Sequence, residues 1–456
     1  MHPGRRARVY GVPVATGHGH LHGGAPEIRV GDRSRVAVIA LILLSGIAAA
    51  LGVLHWSPIP QRVDHLQGLV PTVAKGVTVV HAELRTVRTA CTGNEVDASL
   101  ACGDSDAKLL DGTAPGATVG IDLTPDVIGT GLRPGDRVLL LDTSKVSGGQ
   151  GSAYSFYRAD RGGSMLWLAI LFAVAVVLVA WRRGFMALIS LGFALAVVAW
   201  YLLPALLSGR PPVPITLAAS VLILIVMLFA THGFSMRTAV AVVGALIGLG
   251  LSAAFAWFGV IGSRLGGLGD ESAGLLTFNV SWISVQQLVV ASVILAGLGT
   301  LNDVTITQVS ALWELRAASP TMTRRALFGS AMRIGRDHVA STVYTVVFAY
   351  LGTALLLLVA VQLYGGAPTN LLTAENVAEE IVRTLVGGLA LVLAMPITTA
   401  IGALVVAGAA PVAQLADHAK AVGAARRSRR SASADRPAPD ADNPYLRLPE
   451  HPWATD

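Results

Sequence analysis

The sequence predicts a polytopic α-helical membrane protein of about eight transmembrane helices, with a small extracytoplasmic β-barrel-like domain between the first and second spans. Three observations predict it. Hydrophobic residues make up 53% of the 456 and charged residues only 14%, with a mean hydropathy of +0.62, where soluble domains carry about 25% charged residues. The apolar residues fall in blocks of about 17–25, the length that crosses ~30 Å of hydrocarbon. One interval, residues 58–163, breaks the pattern and is acidic, turn-rich and β-patterned.

In chain order, residues 1–35 read as a disordered cytoplasmic tail. Its His18, His20 and His22 stand at alternate positions, open either to weak binding of Ni, Cu or Zn or to no role at all, and no metal site is expected. Residues 36–57 read as an uncleaved signal anchor, because the apolar core is too long for a secretory h-region. The spans are Val36–His55, Met165–Trp181, Phe185–Leu207, Pro214–Phe229, Thr238–Ile261, Trp282–Leu301, Val339–Leu363 and Ile381–Leu415. The last is long enough to be tilted, broken at Pro396 or followed by an interfacial helix. The last seven spans form a domain over 164–418, and residues 419–456, with "RRSRR", read as a disordered basic cytoplasmic tail.

Lys and Arg bias sets the orientation. Arg33 and Arg35, then Arg182 and Arg183, then Arg237, then Arg316, Arg324, Arg325, Arg333 and Arg336 crowd alternate loops. The intervening short loops hold only Arg210 and Arg264. Both termini are therefore placed in the cytoplasm. This asymmetry accounts for the net charge of +6, so no nucleic-acid partner is implied, and the basic tail suits an anionic lipid surface.

Within 58–163, "VTVVHAEL", "ATVGIDL", "RVLLLDT" and "AYSFYRA" read as strands and "LRPGD" as a tight turn. Cys91 and Cys102, the only cysteines, fall here. A disulfide is expected from the oxidising compartment and the short loop. Two free thiols or a metal pair are the alternatives.

Three polar stripes run into the apolar spans. From Asp303, a 100° step per residue puts Thr307, Ser310 and Glu314 within about 40° of the same direction, with Asn302 beside them. The bland account is an interfacial helix facing water; the functional one is an inner vestibule, since an intramembrane carboxylate is costly unless it meets water or a partner. The second stripe carries Asp337, Ser341 and Thr345, with Arg333 one turn before Asp337 as an i,i+4 partner and Arg336 alongside. The third carries Glu380, Thr384 and Thr398, with Pro396 interrupting the backbone ladder; Glu379 and Arg383 form an i,i+4 pair at the outer rim. Facing stripes that enclose a pocket would favour transport, and stripes that each face the aqueous boundary would favour a scaffold. No Walker loop, GxSxG, HExxH or CxxC is present, so neither an enzyme nor a cofactor is expected.

"LNDVTITQVSALWEL", "MTRRALFGSAMRIGRDHVASTVYTVVFAYLGT" and "EEIVRTLVGGLALVLAMPITTAIGA" resemble the YibE/F-like family of bacterial multi-pass membrane proteins, in its actinobacterial form. The resemblance covers roughly residues 73–415. It implies a protein of the bacterial inner membrane with an extracytoplasmic insert after the first span. It carries over the positions Asp303, Glu314, Gly335, Arg336, Asp337, Gly352, Pro396 and Thr398 without roles. The resulting expectation is a permease-like transporter of a small solute or ion. The alternative is a non-transporting scaffold or envelope-biogenesis factor whose outer domain binds a protein partner. Oligomeric state is not legible.

Overall fold

The computed structural model describes residues 30–67, 76–87, 104–144, 153–268, 271–280, 282–363 and 373–406. Cys91, Cys102, the His-rich tail and the basic tail lie outside these residues. The helices are α1 (Asp32–His55), α2 (Pro60–Gln67), α3 (Pro125–Gly129), α4 (Gly162–Val197), α5 (Leu203–Leu207), α6 (Pro212–His232), α7 (Met236–Gly262), α8 (Glu271–Asn279), α9 (Val285–Ala318), α10 (Arg324–Leu363) and α11 (Glu375–Val406). A π-helical turn, Val198–Leu202, joins α4 to α5.

Seven helices among the described residues are long and apolar enough to cross a membrane: α1, the continuous run Gly162–Leu207, α6, α7, α9, α10 and α11. The 46-residue run is not straight. Trp181 has φ 49° and ψ −130°, and a Cβ built on Gly184 would lie 2.3 Å from the Val176 carbonyl oxygen. Eight residues of straight helix would separate those positions by about 12 Å. The chain therefore doubles back, and only glycine fits at the reversal. The two expected spans Met165–Trp181 and Phe185–Leu207 are the two legs of this hairpin.

Helices α7, α9 and α11 form the packed centre. Buried side chains do not attract one another hydrophobically in lipid, so close approach rests on small residues. The Gly244-x-x-x-Gly248 pair on α7 supplies them. A Cβ on Gly244 would lie 2.3 Å from Thr398 Oγ1, and one on Gly248 would lie 2.7 Å from Leu301 and 3.0 Å from Ala394. Helices α1 and α4 pack on α6 at the periphery, and α10 packs on α9 and α11. Helix α11 runs unbroken through Pro396, which corrects the expectation of a break there. The tight packing of Met395, Thr398 and Thr399 on their neighbours holds the helix across the missing N–H.

The polar insert folds as five antiparallel strands: β1 (Thr78–Leu84), β2 (Asp104–Leu109), β3 (Thr118–Asp122), β4 (Arg137–Asp142) and β5 (Tyr154–Ala159), in the order β3-β2-β1-β4-β5. Strand alternation puts Val80, Ala82 and Leu84 of β1 and Val138 and Leu140 of β4 into one core with Ala107, Leu109 and Ile121. A register shift at Leu139/Leu140 bends β4 against β5. The edge strands β3 and β5 approach each other, so the sheet curls. With α3 between β3 and β4, this is the connectivity of five-stranded Greek-key barrels of OB type. His81 anchors the loop after β2: its backbone N–H donates to Asp111 Oδ1 and its Nδ1 meets Asp111 Oδ2, both at 2.6 Å. Desolvation is the largest single influence on Asp111 and works upward. The His81 hydrogen bonds and charge together outweigh it, so the carboxyl titrates below its ordinary value of 3.8.

Candidate functional site

Two ionic pairs lie against the same side of α9. At the middle of α9, Asp303 Oδ2 stands 3.4 Å from His338 Nε2 on α10. The Asp303 side chain is 59% exposed and that of His338 28%, so the pair sits in an open seam. Toward the start of α9, Arg383 on α11 pairs with Glu380 one turn before it and reaches Ser292 Oγ on α9 at 3.4 Å. The Tyr350 hydroxyl on α10 is within the electrostatic reach of both Arg383 and Glu380. Helices α9, α10 and α11 meet at the second cluster, and beside the first Leu391 and Met395 of α11 pack with Val304 of α9 and Val339 of α10.

Helix geometry ties the clusters into one line. Ser292, Ala296, Gly299 and Asp303 fall within about 60° on α9, and Ser292 and Asp303 are about 17 Å apart along the axis. On the antiparallel α10, His338 and Tyr350 are about 18 Å apart along the axis and about 120° apart around it, so the two helices match in axial spacing alone. Ala296, Gly299 and Asp303 are exposed, while Val293, Ile294, Leu298 and Leu301 on the opposite face are buried. A Cβ on Gly299 of α9, or on Gly387 or Gly388 of α11, would meet nothing within 4 Å. Space therefore lies open between the clusters.

Two polar atoms in this seam are buried without hydrogen-bond partners, Asn302 Oδ1 at one end and Glu380 Oε2 at the other, and His338 Nε2 has the Asp303 carboxylate at 3.4 Å. Such atoms are costly unless something polar meets them. By contrast the seam's hydroxyls are satisfied by their own helices, Thr345 by the Ser341 carbonyl and Thr384 by the Glu380 carbonyl.

The remaining expected residues divide. Thr307 and Ser310 are half-buried and Glu314 is exposed further along α9, with Glu314 in electrostatic reach of Arg237. Asp337, Ser341, Thr345, Arg333 and Arg336 are exposed on α10. The expected Arg333–Asp337 pair is not formed; Arg333 donates to Ser330 Oγ at 2.8 Å instead. Helix α10 exposes both side chains, so neither partner needs the other for solvation. Arg383 pairs with Glu380, next to the expected Glu379. Thr398 is fully buried at the α7–α11 contact, and the half-buried Pro396 lies two residues before it. Neither lines the seam.

Sequence reasoning passed over three contributors. His338 was overshadowed by Asp337, its neighbour, although it is 35 residues of chain from its partner and only the fold joins them. Ser292 offered no pattern of its own. Gln308, 1% exposed, wedges between α9 and α10: its Nε2 donates to the Ala331 carbonyl at 2.7 Å. A Cβ on Gly335 would strike Gln308 and the Met395 sulfur at 2.7–2.8 Å, so Gly335 sets how closely α10 approaches.

The YibE/F-like protein family matches residues 168–408, more than half of the chain and all of the seam. The chain belongs to the YibE/F-like family. Its apolar helices mark this YibE/F-like chain as a membrane protein. The match begins inside α4, so α1 and the sheet domain lie outside it, and the resemblance beginning near residue 73 is not carried that far. Neither a curated protein nor a solved structure matches the chain.

Proposed function

We propose that this YibE/F-like protein crosses the bacterial inner membrane eight times, both termini in the cytoplasm, and is a permease for a small solute or ion. The observation that carries the reading is the open α9–α10–α11 seam, lined by small residues and flanked at each end by an ionic pair. Intramembrane ionisable residues mark solute and proton paths far more often than they serve packing. Asp303 and His338 would bound the path at the cytoplasmic end, and Glu380 and Arg383 at the outer end. The stranded atoms of Asn302 and Glu380 would be met by water or solute as it passes.

Thiol scanning tests it, in a variant with Cys91 and Cys102 replaced by Ser. Gly299→Cys and Ala296→Cys should react with a membrane-impermeant reagent, while Leu356→Cys, 82% exposed on the outer side of α10, should not. If Gly299→Cys is as inert as Leu356→Cys, the seam is filled by lipid and the permease reading fails.

The scaffold reading has one observation of its own. The first hairpin leg, Gly162–Ala180, buries no residue, and presents Met165, Trp167 and Phe172 outward. Partner capture through this leg or the sheet domain would survive an inert seam, and crosslinking from Trp167→Cys would then report it.

A further inference from the structure

A cavity of about 380 Å³ opens between the first turns of α1 and the α6–α7 turn, lined among others by Arg35, Ile42, Leu43, Phe229, Phe234 and Ser235. That volume falls in the ~300–1,000 Å³ range of small-ligand clefts. We propose that it binds one anionic phospholipid, with the phosphate at Arg35 and an acyl chain along the groove. The proposal rests on the helices crossing a bilayer and is independent of transport.

The groove is graded along its length. Arg35, Ile39, Ile42 and Leu43 stand at i, i+4, i+7 and i+8 on α1, so one face reads charge first and then hydrocarbon. The opposite wall is aromatic. Phe229 and Phe234 stack at 5.0 Å and 12°, and the Phe234 ring is 91% exposed, in the manner of aromatic side chains at a membrane interface. The floor is closed by Ile42 and Ala239, 8% and 5% exposed. Ser235 is spent on the protein itself, since its Oγ accepts from Thr238 N–H at 3.2 Å and fixes the turn that forms the mouth.

Charge selects the headgroup. Among the described residues Arg35 is the only charged one lining the groove, and no carboxylate lies within ion-pair distance of it. Guanidinium matches phosphate bidentately, and its aliphatic stem can lie along the apolar wall with the head in the interface. A free phosphate would gain nothing from the apolar wall, and a zwitterionic lipid would bring its own cation toward Arg35. The wall and the charge together fit a lipid with a net negative headgroup.

Native mass spectrometry of the full chain in detergent tests this with phosphatidylglycerol and phosphatidylcholine of identical acyl chains. Phosphatidylglycerol should be retained preferentially. Arg35→Gln should weaken it about five-fold, the factor corresponding to ~1 kcal/mol per basic side chain at an anionic surface, and leave phosphatidylcholine unchanged. Arg324→Gln, at another basic loop, should change neither. Leu43→Trp, which fills the groove from an exposed position (58% exposed) and so spares the fold, should lower both lipids. Equal retention of the two lipids by the unaltered chain would overturn the proposal. So would full phosphatidylglycerol preference in Arg35→Gln, or displacement of the lipid by inorganic phosphate alone.

Discussion

At the residue scale, the seam separates function from stability. The Asp303–His338 pair is half-open, and exposed pairs contribute only about 0–1 kcal/mol. Asp303→Asn should therefore leave the thermal midpoint of the purified protein within a few degrees of the parent, while abolishing whatever uptake the protein supports. A loss of folding equal to the loss of uptake would assign Asp303 to structure. The glycines make a sharper contrast. Gly335→Ala forces a methyl against Gln308 and Met395 and should cost about 1–3 kcal/mol, as overpacking does. Gly387→Ala meets nothing within 4 Å and should be neutral or slightly stabilising by helix propensity; equal midpoints for the two variants would contradict the packing described. Asp303, Asn302, Glu380 and Thr384 were legible as candidates because a polar side chain at or just inside the end of an apolar span stands out against its surroundings. Their partners were not. His338, Ser292 and Tyr350 come from other helices, and a periodicity argument finds residues on one helix face, never the residue across the gap.

Elements were legible where one local rule governs. The apolar blocks located the helices because ~20 residues must span the hydrocarbon, and the short β-rich runs "VTVVHAEL" and "RVLLLDT" located β1 and β4. Pro396 misled, because sequence shows the missing N–H but not the neighbours that hold the helix straight. The strand order was likewise invisible, being set by non-local pairings such as Val80 opposite Leu140. In the sheet domain the His81–Asp111 link supplies a titration test. Asp111 is held below 3.8 by His81. A carboxylate with a depressed folded pKa adds stability that is complete above its unfolded pKa and lost as pH falls through the folded one. Both groups are about half exposed, so the effect should be small. Hydrogen exchange on the full chain, corrected for intrinsic rates, should show protection of the His81 amide declining below about pH 4. Asp111→Asn should remove that decline, and an unchanged decline would locate it elsewhere.

For the whole molecule, contacts at the two ends of the bundle support the proposed eight crossings. At one end Arg62 Nη1 donates to the Ser208 carbonyl, Arg210 Nε to Ser57 and Trp282 Nε1 to Leu207. Glu375 Oε1 there accepts from Gly266 and Leu268. At the other end Arg35 faces Phe234 and Met236, and Arg237 feels the charges of Arg183 and Glu314. Arg183 and Leu207 thus lie at opposite ends, so the second hairpin leg traverses the bundle. The first leg descends from the sheet domain, which follows the end holding Ser57 and Arg62. Every turn alternates ends on this account, and the basic turns share one end, as positive-inside orientation requires. The test is labelling of single cysteines in intact cells, again with Cys91 and Cys102 replaced by Ser. Arg183→Cys and Phe234→Cys should react with an impermeant reagent only after permeabilisation, and Arg210→Cys should react before it. If Arg183→Cys and Arg210→Cys label from the same side, the run Gly162–Leu207 does not cross twice, and the eight-span arrangement falls with the orientation built on it.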